Sequence, residues 1–326
     1  MRRIVAAKQR LVFFGSGAFG IPTLRALVAQ HDILLVVSQP DRPSGRGKTL
    51  TPTPIAKCAM ELGIPLIRPL DVNESAVLAE VRAMDALAWV VIAFGQKLSP
   101  PLLAERFAIN LHGSLLPAYR GAAPIQRAVM DGNAQTGVSV IALAERMDAG
   151  LVYATSSRAI GGSETSDDVH DALAEIGVDA VLGVLDDFAR AGFVSASLGV
   201  AQDESLATRA RKLSKPEGTV DCSTLTAHAV RARVNGLNIW PGCEVALQVP
   251  ASDELSEWIK LCRVEEAGAT ELAPGELSAD GCIGCSDGRA VRCLEVQRAG
   301  SRRMSFADFS CGRPHAKNTR VMPRSL

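Results

Sequence analysis

A regular alternation of apolar, strand-like segments with helical segments is the feature that most limits the fold of this 326-residue chain. The predicted strands lie at residues 10–14, 33–38, 66–67, 86–94, 108–112, 138–143 and 151–160, and the predicted helices at residues 22–30, 55–62, 77–84 and 124–130. The segment at residues 86–94 is apolar nearly throughout, which is typical of a strand buried on both faces of a parallel sheet. Such alternation predicts an α/β domain with a doubly wound, mainly parallel sheet.

The pattern changes after residue 195. Before this point, Thr165-Ser-Asp-Asp168 begins a predicted helix with a capping-box pattern, and that helix is expected to end near Gly177, with a further helix to residue 191. After it come polar residues, one helix at residues 225–236, and short alternating segments separated by turn residues, which predict a small antiparallel barrel. We therefore expect a first domain at residues 1–203, a linker at 204–214 and a second domain at 215–326.

Charge and cysteine content narrow the class of protein. The 35 Lys and Arg residues balance 35 Asp and Glu residues, which argues against a non-specific nucleic-acid binder. The basic end beyond Arg289 is either a phosphate-binding surface or a solvated tail. Cys282 and Cys285 form a lone Cys-x-x-Cys pair without two further ligands at zinc-site spacing, so we expect no metal and reduced thiols. No signal peptide or membrane-length apolar run is recognisable, and we expect a cytoplasmic protein.

An amide, an imidazole and a carboxylate come together in one region of the sequence. Asn110 and His112 are two residues apart on a predicted strand, so their side chains leave the same face. In open α/β sheets, ligands bind at the carboxyl ends of strands. An amide that holds an oxyanion beside an imidazole that moves a proton suits acyl-type transfer, and Asp148 follows in a Met-Asp-Ala-Gly turn. No Ser or Cys nucleophile motif lies nearby, which favours direct transfer without an acyl-enzyme.

A glycine pattern supports a different hypothesis. Gly15-Ser-Gly-Ala-Phe-Gly20 follows a strand and precedes a helix, and Asp41 lies about twenty residues on, as in dinucleotide-binding folds. Pro22 begins the helix directly behind the glycines, and Asp41 follows a proline in a loop. We therefore favour a tight first turn, with an NAD-dependent oxidoreductase as the alternative.

Three stretches resemble the folate-dependent formyltransferases: Asn-Leu-His-Gly-Ser-Leu-Leu-Pro from Asn110, Arg-Gly-Ala-Ala-Pro-Ile-Gln from Arg120, and Met-Asp-Ala-Gly around Asp148. The resemblance runs in the family's order from about residue 11 to about residue 249. It implies a Rossmann-like formyltransferase domain followed by a small OB-like β-barrel domain. It also implies that Asn110 holds the oxyanion and that His112 and Asp148 handle proton transfer, with either of the two as first acceptor of the amine proton.

The resemblance extends to the ligands. The implied folate-binding residues are Ser114, Leu115, Leu116, Pro117, Val90, Ile92, Phe94 and Gly95. The loop from Gln39 and the Lys-Leu-Ser-Lys segment resemble those of members that act on tRNA, and the implied tRNA-binding residues are Arg42, Arg46, Lys48, Lys212 and Lys215. The implied reaction moves the formyl group of 10-formyltetrahydrofolate to the α-amino group of methionine on initiator tRNA. Folate is then a co-substrate, and no tightly bound cofactor is expected.

Other hypotheses remain open at this level. A formyltransferase that acts on a nucleotide sugar or on glycinamide ribonucleotide would share the Asn-His-Asp group. A non-catalytic RNA-binding module would bind tRNA without transferring a formyl group. We expect a monomer with no protein partner and no membrane association.

Overall fold

The computed structural model describes residues 8–44, 47, 49–195, 198–249, 255–311 and 318–324. Among these residues the strands are, in chain order, β1 (Arg10–Gly15), β2 (Asp32–Val37), β3 (Arg42–Ser44), β4 (Thr49–Thr51), β5 (Leu66–Ile67), β6 (Ala88–Ile92), β7 (Phe107–His112), β8 (Arg120–Gly121), β9 (Gln135–Ala142), β10 (Val152–Ala159), β11 (Arg209–Ala210), β12 (Cys243–Gln248), β13 (Leu255–Ala269), β14 (Cys282–Gly284), β15 (Arg289–Arg298), β16 (Met304–Ser305) and β17 (Arg320–Pro323). The helices are α1 (Ile21–Gln30), α2 (Pro54–Glu61), α3 (Ser75–Ala83), α4 (Pro100–Leu103), α5 (Pro124–Met130), α6 (Ser166–Arg190), α7 (Ala227–Gly236) and α8 (Phe306–Ser310).

A mainly parallel sheet forms the first part of the fold, as predicted. Its seven strands lie in the order β10-β9-β7-β6-β1-β2-β5. The pairs β2–β5, β1–β2, β1–β6 and β6–β7 are parallel, whereas β9 runs antiparallel to β7. All five residues of β6 are buried, which confirms that this strand is covered on both faces. Phe14 and Trp89 pack beside each other in this core, with ring centroids 5.2 Å apart.

The structure corrects the prediction of two helices between residues 165 and 191. A single helix, α6, runs through this region. Its capping box is present as predicted, because the Thr165 backbone N–H donates to Asp168 Oδ2 at 2.7 Å and the Asp168 N–H donates to Thr165 Oγ1 at 3.4 Å. A Cβ at Gly177 would lie 2.6 Å from Leu111 Cδ2 on β7. The glycine therefore permits close packing of helix on sheet and does not end the helix.

A second, antiparallel sheet follows, which confirms the predicted small β domain. Its central order is β14-β15-β13-β12-β17, with β16 paired to β15. Outside these strands, Glu276 and Leu277 form isolated bridges with Arg320 and Ile283. The basic C-terminal end is not a solvated tail in its described part, because Phe306, Phe309 and Val321 are buried.

The chain divides into two compact units, each made of separate segments. The first comprises Met1–Arg120, Gly137–Ser157 and His170–Arg209. The second comprises Gly121–Thr136, Arg158–Val169 and Ala210–Leu326. Among the described helices, none combines the length and the apolar character that crossing a bilayer requires.

Candidate active site

The carboxyl ends of β1, β6 and β7 lie at one edge of the parallel sheet. Gly15 pairs with Ile92, and Val91 pairs with Asn110, so these three strands end side by side. Asn110 is half-buried in a strand whose other residues are all buried. The sequence prediction that Asn110 and His112 share one face at this edge therefore agrees with the strand geometry.

His112 is held between a backbone carbonyl and a carboxylate. Its side chain is 7% exposed, with Nε2 2.9 Å from the Tyr119 carbonyl oxygen and Nδ1 3.8 Å from Asp148 Oδ1. A carbonyl oxygen can only accept, so Nε2 must carry a proton. A second proton on the ring can then enter only at Nδ1, on the side where Asp148 lies. The structure thus brings the predicted imidazole and carboxylate together and orients the ring between them.

Asp148 occupies a constrained turn. Its φ is +54°, in the left-handed region that side-chain-bearing residues rarely adopt. Two residues on, a Cβ at Gly150 would lie 1.9 Å from the carbonyl oxygen of Ala142 at the end of β9. Only glycine allows the backbone to approach β9 this closely, and this contact brings the turn back toward β7. The Asp148 side chain is 13% exposed, so its carboxylate is largely shielded from water.

The turn at residues 114–117, predicted to bind folate, is fixed by a buried hydroxyl that the sequence did not reveal. Ser139 on β9 donates to the Ser114 carbonyl oxygen at 2.8 Å and accepts from the Leu116 backbone N–H at 3.0 Å. Ser114 itself is fully buried and donates to the Ala118 carbonyl oxygen at 2.6 Å. A Cβ at Gly137 would lie 2.5 Å from Leu115 Cδ2, so the Leu115 side chain packs against β9. Hydrogen bonds within the protein therefore fix the conformation of this turn.

The other predicted folate residues differ in how they can contribute. Val90, Ile92 and Phe94 are buried, with at most 2% exposed, so their side chains shape the core. Gly95 is exposed, with a φ of +82°. The Phe94 carbonyl oxygen accepts from Ser16 Oγ at 2.9 Å and from Gln39 Nε2 at 2.8 Å. These hydrogen bonds tie the backbone at the end of β6 to Ser16 and Gln39.

The glycine-rich turn after β1 is filled by protein atoms. A Cβ at Gly15 would lie 2.6 Å from the Phe13 ring, and one at Gly20 would lie 3.2 Å from it. Asp41, the acidic residue of the dinucleotide pattern, forms an ion pair with Arg68. These contacts support the interpretation of a tight first turn over that of a nucleotide site.

The predicted tRNA loop is a hairpin at its base. β3 and β4 pair antiparallel, with Arg42 opposite Thr51. The Arg42 guanidinium donates to Oε1 of the Gln39 side chain. The Nε2 of the same side chain donates to the Phe94 carbonyl oxygen. Arg46 and Lys48 lie outside the described residues. The loop base is thus connected by hydrogen bonds to the end of β6.

Lys212 and Lys215 belong to the second compact unit, and both are exposed. Lys215 lines a surface cavity of about 260 Å³ together with Trp240, Glu244 and Arg324. Arg324 forms an ion pair with Glu244 and lies 5.5 Å from the Trp258 ring centroid. This unit therefore presents cations beside exposed aromatic surface.

The cysteines form no metal centre within the described part of the chain. No group of three or more His, Cys, Asp or Glu side chains there is arranged to hold an ion. All eight cysteines are free thiols, and Cys285 of the Cys-x-x-Cys pair is buried. Burial raises the pKa of the Cys285 thiol to about 11, which keeps it protonated and unreactive at neutral pH.

Comparison with known proteins agrees with this fold. Two family models match: formyl transferase over residues 9–185, and formyl transferase, C-terminal domain, over residues 212–314. A methionyl-tRNA formyltransferase of Rhodopseudomonas palustris (strain BisB18) is 40% identical over 312 residues, which cover 94% of this chain and 96% of that relative.

Two solved structures share the fold at low sequence identity. HypX from Aquifex aeolicus, in complex with tetrahydrofolic acid, has a TM-score of 0.64 at 18% identity and covers 93% of this chain and 47% of its own. An N-formyltransferase from Helicobacter canadensis, in complex with folinic acid and dTDP-3-aminofucose, has a TM-score of 0.63 at 11% identity and covers 88% of this chain and 98% of its own. The family matches and the nearly full-length relative confirm the resemblance found in the sequence: the chain belongs to the formyl transferase family, among the methionyl-tRNA formyltransferases.

Proposed function

We propose that this protein transfers the formyl group of 10-formyltetrahydrofolate to the α-amino group of methionine on initiator tRNA, in the cytoplasm. The observation that carries the proposal is the group at the end of β7, where the His112 ring is oriented by a carbonyl on one side and by Asp148, 3.8 Å away, on the other. A strand-end amide, Asn110, lies on the same strand face. A methionyl-tRNA formyltransferase that is 40% identical over nearly its full length supports the choice of substrates.

The three residues suit the steps of a direct transfer. The lone pair of the methionine amine attacks the formyl carbon, and negative charge develops on the formyl oxygen. We assign the Asn110 side-chain N–H as the donor to that oxygen, because this half-buried amide lies on the same strand face as His112. Collapse of the tetrahedral intermediate breaks the bond to N10 of tetrahydrofolate, which takes a proton as it leaves. The net reaction returns every proton, so no other reactant is required.

We assign proton transfer to the His112–Asp148 pair. The hydrogen bond from Nε2 to the Tyr119 carbonyl keeps that nitrogen protonated throughout. The proton that leaves the attacking amine therefore enters at the Nδ1–Asp148 side, where the carboxylate stabilises a positively charged ring. The same proton is then available to the departing N10.

The two ligands use different surfaces in this proposal. Folate binds against the turn at residues 114–117 and the backbone that ends β6. Val90, Ile92 and Phe94 support that backbone from the core. The tRNA binds to Arg42, Arg46 and Lys48 of the hairpin loop and to Lys212 and Lys215. In this division, residues 1–203 carry the chemistry, residues 204–214 link, and residues 215–326 form an OB-like domain that binds tRNA.

The first test is formyl transfer by variants of the three site residues. Asn110→Ala should lower kcat by about 100-fold or more because one oxyanion donor is lost. His112→Ala and Asp148→Ala should each lower it by about 100- to 10,000-fold, and the effects should not add because the groups act together. His170→Ala is the matched control, since His170 also pairs with an aspartate, at 2.9 Å, but outside the site. A folded His112→Ala enzyme with normal turnover would refute the assignment.

The second test identifies the formyl acceptor. The enzyme is given 10-formyltetrahydrofolate as formyl donor and, in parallel assays, one of five acceptors: initiator methionyl-tRNA, elongator methionyl-tRNA, free methionine, glycinamide ribonucleotide or an amino-sugar nucleotide. We expect initiator tRNA to be preferred and NAD to leave the melting temperature unchanged while folate raises it. Preference for a small acceptor would replace this function with that of a small-molecule formyltransferase.

The third test removes charge from the hairpin. Arg42→Ala should raise KM for tRNA and flatten the log–log salt dependence of tRNA binding by about one unit for each lost phosphate contact. Arg25→Ala, which removes an exposed arginine of α1 paired to Glu61, is the charge-matched control. An Arg42 variant that behaves like the Arg25 variant would show that the hairpin does not contact tRNA.

A further inference from the structure

Gln202 lies 54 residues after Asp148 in the sequence, yet it holds the turn that carries this carboxylate. Its Nε2 donates to the carbonyl oxygens of Asp148 and Gly150, both at 2.8 Å. Asp148, the residue whose backbone is in the left-handed region, carries the first of these two carbonyls. The two bonds fix the Asp148–Ala149 and Gly150–Leu151 peptide planes. The first of these planes adjoins the Asp148 Cα, so fixing it restrains the direction in which the Asp148 side chain leaves the backbone.

The orientation of the Gln202 amide has only one solution. The two carbonyl oxygens can only accept, so the NH2 group must face them. On the other side, Arg120 donates to Gln202 Oε1 from Nε at 3.0 Å and from Nη2 at 2.6 Å. A guanidinium can only donate, so the amide oxygen must face it. The side chain thus acts as an adaptor between a donor and two acceptors, a role that a carboxylate of the same shape cannot fill.

Arg120 is itself fixed. Its side chain is 10% exposed and binds Glu204 through two hydrogen bonds, of 3.0 and 2.9 Å. Hydrogen bonding from Arg120 holds the pKa of Glu204 down to about 2, so this partner stays ionised at neutral pH. The segment before Gln202 is fixed as well, because Val200 and Val152 exchange two backbone hydrogen bonds of 2.8 Å.

The same connection reaches the imidazole. Arg120 follows directly on Tyr119, whose carbonyl oxygen binds His112 Nε2. The backbone anchor of His112 and the backbone anchor of Asp148 are therefore linked through Arg120 and Gln202. We propose that Gln202 is a positioning residue for formyl transfer, which sets the distance and angle between the Asp148 carboxylate and the His112 ring. This inference rests on the proposed function, and it assigns no contact between Gln202 and substrate.

The first experiment measures formyl transfer by Gln202→Glu and Gln202→Ala. Gln202→Glu keeps the shape and a partner for Arg120 but turns an acceptor toward two carbonyl oxygens. We expect kcat to fall by about 10- to 100-fold, as for a catalytic group displaced by about 1 Å, with KM for both substrates unchanged within about two-fold. The pH dependence of kcat should also change. Gln297→Glu is the matched control, because Gln297 likewise donates to a carbonyl, that of Ser301, but lies in the second compact unit.

A double-mutant cycle separates positioning from general structural support. If Gln202 acts through Asp148, then Gln202→Ala should lower the residual rate of the Asp148→Asn enzyme no further. A loss of activity that matches a loss of melting temperature, that adds to the Asp148→Asn effect and that leaves the pH profile unchanged would overturn the proposal. Unchanged kcat in a folded variant would do the same. If the Ala variant does not fold, Gln202→Asn, whose shorter amide cannot span both partners, takes its place in the cycle.

A spectroscopic readout makes the proposal independent of turnover. The ¹⁵N chemical shifts of the His112 ring report its proton positions and partners. They should change in Gln202→Glu and stay unchanged in Gln297→Glu. Inactive wild-type protein with these shift changes would contradict the proposed function but uphold the positioning role. Active wild-type protein with an unaffected His112 ring in both variants would contradict the positioning role alone.

Discussion

Replacing Ser139 with alanine should weaken the turn that we assign to folate. Ser139 is fully buried, and its hydroxyl satisfies two backbone groups at once: it donates to the Ser114 carbonyl at 2.8 Å and accepts from the Leu116 N–H at 3.0 Å. Ser114 is fully buried and Leu116 is 8% exposed, so water cannot readily replace the lost partner. Alanine removes one oxygen atom and both hydrogen bonds.

The size of the effect follows from the groups left unpaired. A buried donor or acceptor that loses its partner costs about 1–3 kcal/mol. Two such groups therefore predict a loss of at least about 2 kcal/mol in the free energy of unfolding. If the turn instead changes conformation to recover its hydrogen bonds, the cost appears as weaker folate binding. A cost of about 2 kcal/mol corresponds to about a 30-fold weaker Kd for folate.

Urea unfolding and folate titration measure the two parts of this cost. Thr23→Val is the matched control, because Thr23 is also fully buried but its hydroxyl has no hydrogen-bond partner among the described residues. Removing an unpaired buried hydroxyl should leave stability unchanged or raise it by about 1 kcal/mol. The reasoning is refuted if Ser139→Ala matches Thr23→Val in both the urea midpoint and the folate Kd.

Three further predictions test buried groups and helix packing in the fold. Burial lowers the pKa of His31 below its ordinary value of 6.5, so the free energy of unfolding should fall as pH drops below 6.5 and be constant above it, and His31→Gln should flatten this slope in urea titrations at pH 5.5 and 7.5. Burial raises the pKa of Cys293 to about 12, so iodoacetamide followed by mass spectrometry should label exposed Cys311 and leave Cys293 unlabelled in the folded protein; equal labelling would contradict this. Within α6, Gly183→Ala should stabilise the protein by about 1 kcal/mol, because nothing lies within 4 Å of the added methyl. Gly177→Ala should be less stable than Gly183→Ala by about 1–3 kcal/mol, since its methyl meets a leucine of β7, and equal thermal stabilities would show that this close packing is absent.

Elements with a strong local period were predictable from the sequence. β1, β2 and β7 coincide with predicted strands, because apolar runs and their bounding turn residues are properties of a few neighbouring positions. The shared face of Asn110 and His112 follows from strand geometry alone. These predictions need no knowledge of what packs against the segment.

Partners distant in the chain were not predictable. Ser139 and Gln202 are ordinary polar residues in sequence, and only the fold brings one to the turn at residues 114–117 and the other to Asp148. The role of Gly177 was not predictable for the same reason. In sequence, a glycine that ends a helix looks the same as a glycine that lets a helix approach a sheet. The signal that could have suggested Gln202 is weak: a lone amide in a polar segment.

The basic C-terminal end shows why charge alone predicts little about a surface. Arg298 and Arg324 pair with Glu257 and Glu244, acids that lie before this basic segment in the sequence. A cluster that is basic when counted along the chain is thus partly neutralised in the fold. The excess that remains for phosphate is smaller than the count suggests, so we assign tRNA contact to the exposed lysines and the hairpin arginines before this segment.

Contacts between residues that are distant in sequence define the two compact units, and composition does not reveal such contacts. Asp168, which caps α6, accepts hydrogen bonds from Arg263 of β13 at 2.7 and 3.1 Å, and Asp167 accepts from Asn238 at 2.9 Å. Burial acts to raise the Asp168 pKa, but the bonds from Arg263 and Thr165 outweigh it and hold that pKa below its usual value. Both aspartates therefore depend on partners that lie beyond residue 214. The charges that begin α6 are therefore satisfied only once these partners are in place, and polar composition does not reveal them.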